Sequence, residues 1–321
     1  MAVYTQVSAE AASELLRNYD AGELVTLKGI AEGVENSNYY LETTHSRYIL
    51  TLYEKRVDPN DLPYFYALLD HLHTAGCKVP RFILDINGQW LQTVAGRSAC
   101  LIEFLSGVSV SLPNAAQSFA TGAALGEMHS ALQSFPVIRP NSLGITSFRP
   151  LADKCGDSAL NLISNGLASQ VYAECEFLEQ HWPQYLPQSS VHADLFPDNV
   201  LMTGDAVSGL IDFYFACTEL RAYDLAVTHA AWSFSADGGE YRSDVGQNII
   251  GGYRSKFNVD DDTKSAFLIL ARAACLRFLL TRCYDWINTP NTAVVTRKDP
   301  LEFLRRLDFY ASQDNANSLI G

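Results

Sequence analysis

The pattern of apolar residues changes once along the chain, and this change limits the folds that the chain can form. Before residue 105, short apolar or alternating segments separated by turn residues are typical of β-strands. The expected strands lie at 24–30, 37–43, 47–54, 90–94 and 100–104. Helices are expected at 8–18, with Ser8 as a cap, and at 61–74. The first hundred residues are therefore predicted to be a strand-rich unit.

After residue 105, apolar residues recur mainly at helical spacing. Helices are predicted over 113–133, over 149–186 and from 222 onwards. Two short strands joined by a turn at 204–207 are expected between them. The predicted fold is α+β with two lobes: a small β-rich lobe at 1–104 and a larger helical lobe at 105–321.

Charge and apolar patterning disfavour several kinds of partner. Lys and Arg total 23 against 36 acids, which gives a net charge of −13 and would repel nucleic acid and anionic lipid. No basic segment followed by an apolar one marks a signal peptide, and Arg272 and Arg277 interrupt the most apolar run. We therefore expect a cytoplasmic protein with no nucleic-acid or membrane partner.

The seven cysteines are scattered, and the closest two are eight residues apart. No CxxC or zinc-ribbon spacing occurs. Reduced thiols in a cytoplasmic protein are the simplest interpretation.

The decapeptide VHADLFPDNV combines a histidine, acids and an amide within ten residues. His192, Asp194 and Asn199 have the H-x-D-x-x-x-x-N spacing of a kinase catalytic loop, and Asp212 ends an apolar segment thirteen residues later. Phosphoryl transfer needs a carboxylate beside the attacking hydroxyl and oxygen ligands for magnesium. The alternative interpretation is a capped polar turn, with Asp198 as an N-cap. We expect His192 to brace the loop without a chemical role.

These motifs resemble those of the aminoglycoside phosphotransferase and choline kinase superfamily, small-molecule relatives of the protein kinases, over essentially the whole chain. The resemblance implies that Asp194 is the catalytic base and that Asn199 and Asp212 hold Mg²⁺. Protein kinases follow the second acid with Phe-Gly, whereas this chain has Phe213 and Tyr214. That departure favours the small-molecule members.

The segment KGIAEGVENSNYYLET lies between two predicted strands, at the position of the family's phosphate-covering loop. Gly29 and Gly33 would let the backbone approach the phosphates of ATP, and Asn36, Ser37 and Asn38 offer donors. Simple turn geometry is the alternative explanation for the glycines. The Walker pattern is absent, so a P-loop site is excluded.

Thr51 stands where relatives usually carry a lysine or arginine that pairs with the nucleotide phosphates. Lys28, Lys55 or Arg56 could compensate, although solvated surface charge is the alternative for each.

The segment CLIEFLSG resembles the family's hinge between lobes. The resemblance implies that the backbone of Glu103, Phe104 and Leu105 binds the adenine edge. A buried strand that ends at a turn is the alternative.

The acceptor alcohol is expected beside Asp194. Arg282 falls on the apolar stripe of a helix predicted over 263–286, where a cation needs a partner. That partner could be a substrate carboxylate or, as a structural ion pair, Asp224 or Asp285. Asp224 matches an acid that is common after the metal-binding strand in the superfamily, and it could contact a substrate ammonium.

Four segments, GIAEGVENSNYYLET, ILTLYEKRV, FYFACTELRAYDLA and LRFLLTRCYDW, resemble the homoserine kinases of this superfamily. The resemblance implies ATP-dependent phosphorylation of the side-chain hydroxyl of L-homoserine, a step towards threonine. The alternatives are a kinase for choline, ethanolamine, methylthioribose or an aminoglycoside, a nucleotide-binding pseudokinase, or, more distantly, a metal phosphohydrolase.

Overall fold

The computed structural model describes residues 4–30, 36–54, 58–289 and 297–321. Contacts divide the chain into two compact units. The first comprises the residues up to Gly107 together with Ser208–Tyr214, and the second comprises Val108–Val207 and Phe215–Gly321. Among the described residues, no helix has the length and apolar character that a bilayer crossing requires.

The first unit is built on one antiparallel sheet of five strands in the order β1-β2-β3-β5-β4. Its strands are β1 Leu24–Gly29, β2 Ser37–Thr43, β3 Arg47–Leu52, β4 Gln92–Val94 and β5 Arg97–Glu103. Its helices are α1 Ala9–Leu16 and α2 Leu62–Thr74. Each predicted strand therefore corresponds to an observed one.

Burial alternates along β2, so one side of the sheet faces the core. Ser37, Tyr39, Leu41 and Thr43 are buried while the residues between them are half-buried. Tyr39 and Leu41 pack in one core with Leu15 and Leu16 of α1. The side chain of Ser8 accepts a hydrogen bond from the N–H of Ala11 over 3.2 Å, which satisfies a donor at the start of α1.

The second unit is mainly helical. Its helices are α3 Ala115–Leu132, α4 Ile145–Cys155, α5 Asp157–Ile163, α6 Leu167–His181, α7 Arg221–Trp232, α8 Ser243–Arg254, α9 Asp261–Asn288, α10 Leu301–Ala311 and α11 Asn317–Ile320. α7 is buried along almost its whole length, and α9 packs on α7, α4 and α10. These two helices therefore form the centre of the helical core.

The region 149–186, which was predicted to be mainly helical, is divided among three helices. Gly156 separates α4 from α5 with a φ of 78°, and Gly166 precedes α6 with a φ of 80°. Residues other than glycine rarely adopt this left-handed conformation, so the chain turns at both positions.

Two pairs of short strands flank the polar decapeptide. β6 Gln188–Val191 pairs antiparallel with β9 Cys217–Leu220, and neither strand was predicted. β7 Val200–Thr203 and β8 Ala206–Leu210 form the predicted hairpin. The turn between them is the pair Gly204 and Asp205, with a φ of 62° at the glycine.

Candidate active site

The decapeptide forms a loop that runs from β6 into a 3₁₀ turn at Pro197–Asn199. The amide Nδ2 of Asn199 donates to the carbonyl oxygen of Asp194 over 2.7 Å and lies 3.2 Å from its carboxylate Oδ2. The backbone N–H of Asp194 donates to Nδ1 of buried His192 over 3.2 Å. The indole N–H of Trp232 donates to the carbonyl of Leu195 over 2.9 Å. The loop is thus held by side chains from within and from α7.

Asp224 is completely buried, and its carboxylate supports this loop by accepting hydrogen bonds from the loop backbone. Its Oδ2 accepts from the N–H of His192 over 2.8 Å, and its Oδ1 accepts from the N–H of Ala193 over 2.7 Å. Nε2 of His129 lies 3.0 Å from Oδ2, and its Nδ1 lies 2.8 Å from the hydroxyl of Tyr253. Burial raises the pKa of Asp224, but the hydrogen bonds and charge interactions with His129 and His192 together outweigh burial, so the pKa is lowered.

The prediction that Asp224 contacts a substrate ammonium is therefore wrong. Both oxygens of Asp224 already accept hydrogen bonds, and no part of its side chain is exposed. A buried carboxylate with these bonds supports the loop and does not bind a ligand. His129, which the sequence analysis missed, lies in α3, and its contact with Asp224 joins positions 95 residues apart.

Ala193 has a φ of 62°, in the left-handed region. This conformation costs a residue with a Cβ atom about 1–2 kcal/mol. The carbonyl of Ala193 accepts a hydrogen bond from Nη1 of Arg277, a second residue that the sequence analysis did not assign to the site. The two backbone polar groups of Ala193 are thus bonded by a buried anion and a buried cation, which offset the cost.

Asp198 was the N-cap in the alternative interpretation of the decapeptide. It lies instead inside the 3₁₀ turn, whose N-cap is Phe196 and which has no side-chain cap. The carboxylate of Asp198 is exposed and lies 3.8 Å from Nζ of Lys298. The capped-turn explanation therefore does not account for the polar residues of this loop.

Asn199 has a side-chain oxygen of the kind that coordinates a magnesium ion. Its Nδ2 faces Asp194, and its Oδ1 accepts no hydrogen bond from a described residue. Amide and carboxylate oxygens are hard ligands of the kind that Mg²⁺ prefers. The side chain therefore fits the predicted metal.

Asp212 belongs to the first unit and lies just beyond the end of β8. Its φ is 65°, a left-handed conformation that aspartate tolerates better than most residues. Two residues later, Tyr214 packs edge to face on Tyr53 and Phe65 at centroid distances of 5.9 and 5.6 Å. The large side chain at the position of the kinase glycine thus fills an aromatic cluster.

The amide-rich start of β2 is bonded to the end of β3 and the residues that follow it. The hydroxyl of buried Thr51 donates to Oδ1 of Asn38 over 2.8 Å, and that of Ser37 donates to Glu54 over 2.7 Å. Asn36 is buried, and its Nδ2 has no hydrogen-bond partner among the described residues. A buried donor of this kind costs free energy until an acceptor arrives, which suits a phosphate-binding edge.

Of four further residues considered on this side, one pairs within the sheet and three lie outside the described residues. Gly29 pairs with Tyr39 in the ladder of β1 and β2. Gly33, Lys55 and Arg56 lie outside the described residues. Arg97 lies 3.3 Å from the carboxylate of Glu54, so that acid has a cation partner within the unit.

The predicted hinge begins at Glu103, the last paired residue of β5. The N–H of Glu103 donates to the carbonyl of Arg81 over 2.9 Å, and the ring of Phe104 packs on that of Tyr40 at 5.5 Å. Leu105 packs so closely on Gly209 that a Cβ atom there would lie 2.6 Å from its Cδ1.

Arg282 forms a structural ion pair. Its Nη1 lies 2.5 Å from Oε2 of Glu302 and donates to the carbonyl of Asp299 over 3.0 Å. Its guanidinium also stacks on Phe303 at 4.6 Å. Glu302 is thus the acidic partner of Arg282, whereas Asp224 or Asp285 was the predicted partner of a structural ion pair. With these contacts, a substrate carboxylate is not needed to balance the charge.

Comparison with known proteins identifies the family. The model of the phosphotransferase enzyme family (APH) matches residues 26–255, which include the whole decapeptide and Asp212. The chain belongs to the phosphotransferase enzyme family. This phosphotransferase is 50% identical over 311 residues to the homoserine kinase of Zymomonas mobilis, with 97% of each chain covered. It is 48% identical to that of Methylorubrum populi, with 98% of each chain covered.

The fold of this phosphotransferase also resembles that of a solved kinase. The amicoumacin kinase hAmiN, in complex with AMP-PNP, Ca²⁺ and Ami, matches with a TM-score of 0.72 over 95% of this chain and 93% of that one. The sequences are 15% identical, so this likeness concerns the fold alone. The predicted kinase-like α+β fold is confirmed.

Proposed function

We propose that this phosphotransferase transfers the terminal phosphoryl group of ATP to the side-chain hydroxyl of L-homoserine. The observation that carries the proposal is the 50% identity, over 97% of both chains, to a protein named homoserine kinase. Identity at this level over the full length makes a shared substrate far better supported than the fold alone would.

In the proposed reaction, Asp194 accepts the proton of the attacking hydroxyl. The bond from Asn199 and the bond from the loop backbone to His192 hold the position of Asp194, which supports a role as general base. The sequence pattern further supports Asn199 and Asp212 as ligands of magnesium, which would neutralise charge on the phosphates.

On the nucleotide side, we propose that Asn36 and Asn38 donate to the phosphates. The support is the buried Nδ2 of Asn36, which has no partner among the described residues, and the orientation of Asn38 by Thr51. Because Thr51 bears no charge, this edge binds with neutral donors, and the net charge of −13 makes a counter-ion on the nucleotide important. The backbone of Glu103–Leu105 is proposed to bind the adenine edge.

The test is a substrate panel followed by coupled ADP release. The panel contains L-homoserine, choline, ethanolamine, methylthioribose and an aminoglycoside, with Asp194→Asn as the matched inactive control. We expect the highest kcat/KM with L-homoserine and a product phosphorylated on the side-chain oxygen, identified by ³¹P NMR.

Higher kcat/KM with choline than with homoserine would replace the proposed substrate by another small alcohol. ATP binding without transfer to any alcohol would instead point to a pseudokinase.

A further inference from the structure

Arg277 of α9 lies under the loop that carries Asp194. Its side chain is buried, with 2% of the residue exposed, and its Nη1 donates to the carbonyl of Ala193. On the other side of that residue, the N–H of Ala193 donates to the buried carboxylate of Asp224. The peptide groups that precede Asp194 are thus bonded by two buried charges of opposite sign.

Arg277 is held mainly by aromatic rings and not by an acid. Its guanidinium carbon lies 5.3 Å from the centroid of Phe215 and 4.6 Å from that of Phe278. Within the part of the chain that the structure describes, no carboxylate forms an ion pair with it, and its Nε–H has no hydrogen-bond partner. Burying a cation in this way is unfavourable, and an apolar side chain would avoid the cost. An apolar side chain would, however, leave the carbonyl of Ala193 without its donor.

Two of the residues that Arg277 touches are close in sequence to the residues predicted to act in catalysis. Ala193 directly precedes Asp194, and Phe215 follows Asp212 by three residues in the chain. A planar, permanently charged guanidinium can donate along its edge while it stacks with its face, which a lysine cannot do.

We propose that Arg277 is a positioning residue for phosphoryl transfer. It holds Ala193 in the left-handed conformation and so fixes the direction in which the carboxylate of Asp194 leaves the loop. The proposal rests on the proposed function, because it takes Asp194 to be the group that accepts the proton.

Arg306 of α10 provides a matched control. It is 5% exposed, its Nη1 donates to the carbonyl of Ala230 over 3.0 Å, and its Nε–H also has no partner among the described residues. Its guanidinium carbon lies 5.6 Å from the ring of Phe234 and 4.4 Å from that of Phe303. Arg306 therefore has the same burial and the same kinds of contact as Arg277, without a contact to the loop of Asp194.

The experiment compares Arg277→Met with Arg306→Met in the full-length protein. Thermal unfolding is expected to show a similar loss of Tm in both, because both lose a buried arginine. Arg277→Met is expected to lower kcat at least about tenfold while the KM values for homoserine and ATP change less than about twofold, because only an interaction needed in the transition state is lost. Arg306→Met is expected to keep the wild-type kcat.

A second substitution tests the role of the Ala193 conformation. Glycine adopts a positive φ without the steric cost that alanine has. Ala193→Gly is therefore expected to restore part of the kcat lost in Arg277→Met, a rescue that simple loss of packing would not show. If Arg277→Met does not fold, Arg277→Lys, which keeps the charge but not the planar fork, takes its place in both measurements.

A kcat within about twofold of wild type in the Arg277 variants would overturn the proposal. A rise in the KM for homoserine with an unchanged kcat would also overturn it, because Arg277 would then bind substrate directly. If the wild type prefers another alcohol of the panel, the proposed function fails, but the same ratios measured with that alcohol still test Arg277. A wild type that phosphorylates no alcohol overturns both.

Discussion

The carboxylate of Asp194 lies at the centre of a short hydrogen-bonded loop. It is 3.2 Å from the amide of Asn199, while its backbone N–H is bonded to His192. Loss of the charge should therefore remove the proton acceptor and leave the loop in place, since an asparagine can accept the same bond from Asn199.

We expect Asp194→Asn to lower kcat at least about a hundredfold, because a general base contributes on that order to the rate. ATP affinity, measured by isothermal titration calorimetry, should be nearly unchanged. A variant that retains kcat would show that another group accepts the proton.

Asp212 has a different expected role, and its variant should behave differently. Asp212→Ala is expected to reduce both kcat and the affinity for magnesium-ATP, because the residue is predicted to hold the metal. Measurement of kcat at increasing Mg²⁺ concentration tests this expectation. The Mg²⁺ concentration that gives half of the maximal kcat should rise in the variant. If affinity and turnover both persist, the residue is not a magnesium ligand.

The site could be predicted from the sequence only where its residues lie close together in the chain. His192, Asp194 and Asn199 fall within eight positions, so their spacing was visible. His129 contacts Asp224, which supports this loop, across 95 residues, and Arg277 contacts Ala193 of the loop across 84 residues. No local pattern links such positions. The only signal for Arg277 was that it is one of two charged residues, with Arg272, in a largely apolar helical run.

His229 shows how burial affects a residue outside the site. It is fully buried in α7, and its Nδ1 lies 2.6 Å from the hydroxyl of Tyr310. Burial lowers its pKa from 6.5 to about 3, because the charged form cannot be solvated.

Since the pKa of His229 is lower in the folded state than in the unfolded state, the neutral form stabilises the fold. The contribution of neutral His229 to the free energy of unfolding should therefore be complete above pH 6.5 and decrease as the pH falls from 6.5 towards about 3. His229→Gln should flatten this dependence in urea unfolding curves, whereas substitution of exposed His73 should not. Equal slopes in wild type and His229→Gln would contradict the assignment.

Two neighbouring glycines of α8 separate the effects of packing and of helix propensity. A Cβ atom at Gly252 would lie 2.0 Å from the carbonyl oxygen of Phe119 in α3, so the two helices pack with their backbones in contact. A Cβ atom at Gly251 would meet only the ring of Phe119, at 3.8 Å.

We expect Gly252→Ala to destabilise the protein by at least about 2 kcal/mol, because α3 and α8 would have to move apart. Gly251→Ala should instead stabilise it by up to about 1 kcal/mol through helix propensity. Guanidinium unfolding of both variants measures the difference. Equal effects would mean that the helices do not approach at Gly252.

Elements were predictable where an apolar pattern repeats over enough residues. β2 alternates along its length, and α2 has apolar residues at spacings of three and four, so both were found. β6 and β9 are four residues each, too short for a period to appear, and they form because they pair with each other. The breaks at Gly156 and Gly166 depend on backbone conformation, which apolar periodicity does not indicate.

Across the whole molecule, none of the seven cysteines, all of which lie in the described residues, forms a disulfide, and all but Cys77 are buried. Burial raises the thiol pKa to about 11 in Cys155 and Cys175 and to about 12 in Cys100, Cys217 and Cys283. Since the thiolate is the reactive form, these side chains should be inert in the folded protein.

We expect a thiol reagent such as DTNB to modify only Cys77 rapidly in the native protein and all seven cysteines in guanidinium chloride. Cys77→Ser should remove the fast phase. Rapid labelling of more than one thiol in the native state would contradict the burial of the others.

The segment Ser208–Tyr214 belongs by its contacts to the first unit, although both of its flanking segments belong to the second. The backbone therefore passes from one unit to the other three times. A hybrid enzyme made by joining two parental genes at Gly107 would carry a first unit assembled from both parents, including an Asp212 from the wrong one. To exchange the complete first unit, both of its segments must come from the same parent. A chimera that lacks the seven-residue segment Ser208–Tyr214 of that parent has a first unit of mixed origin.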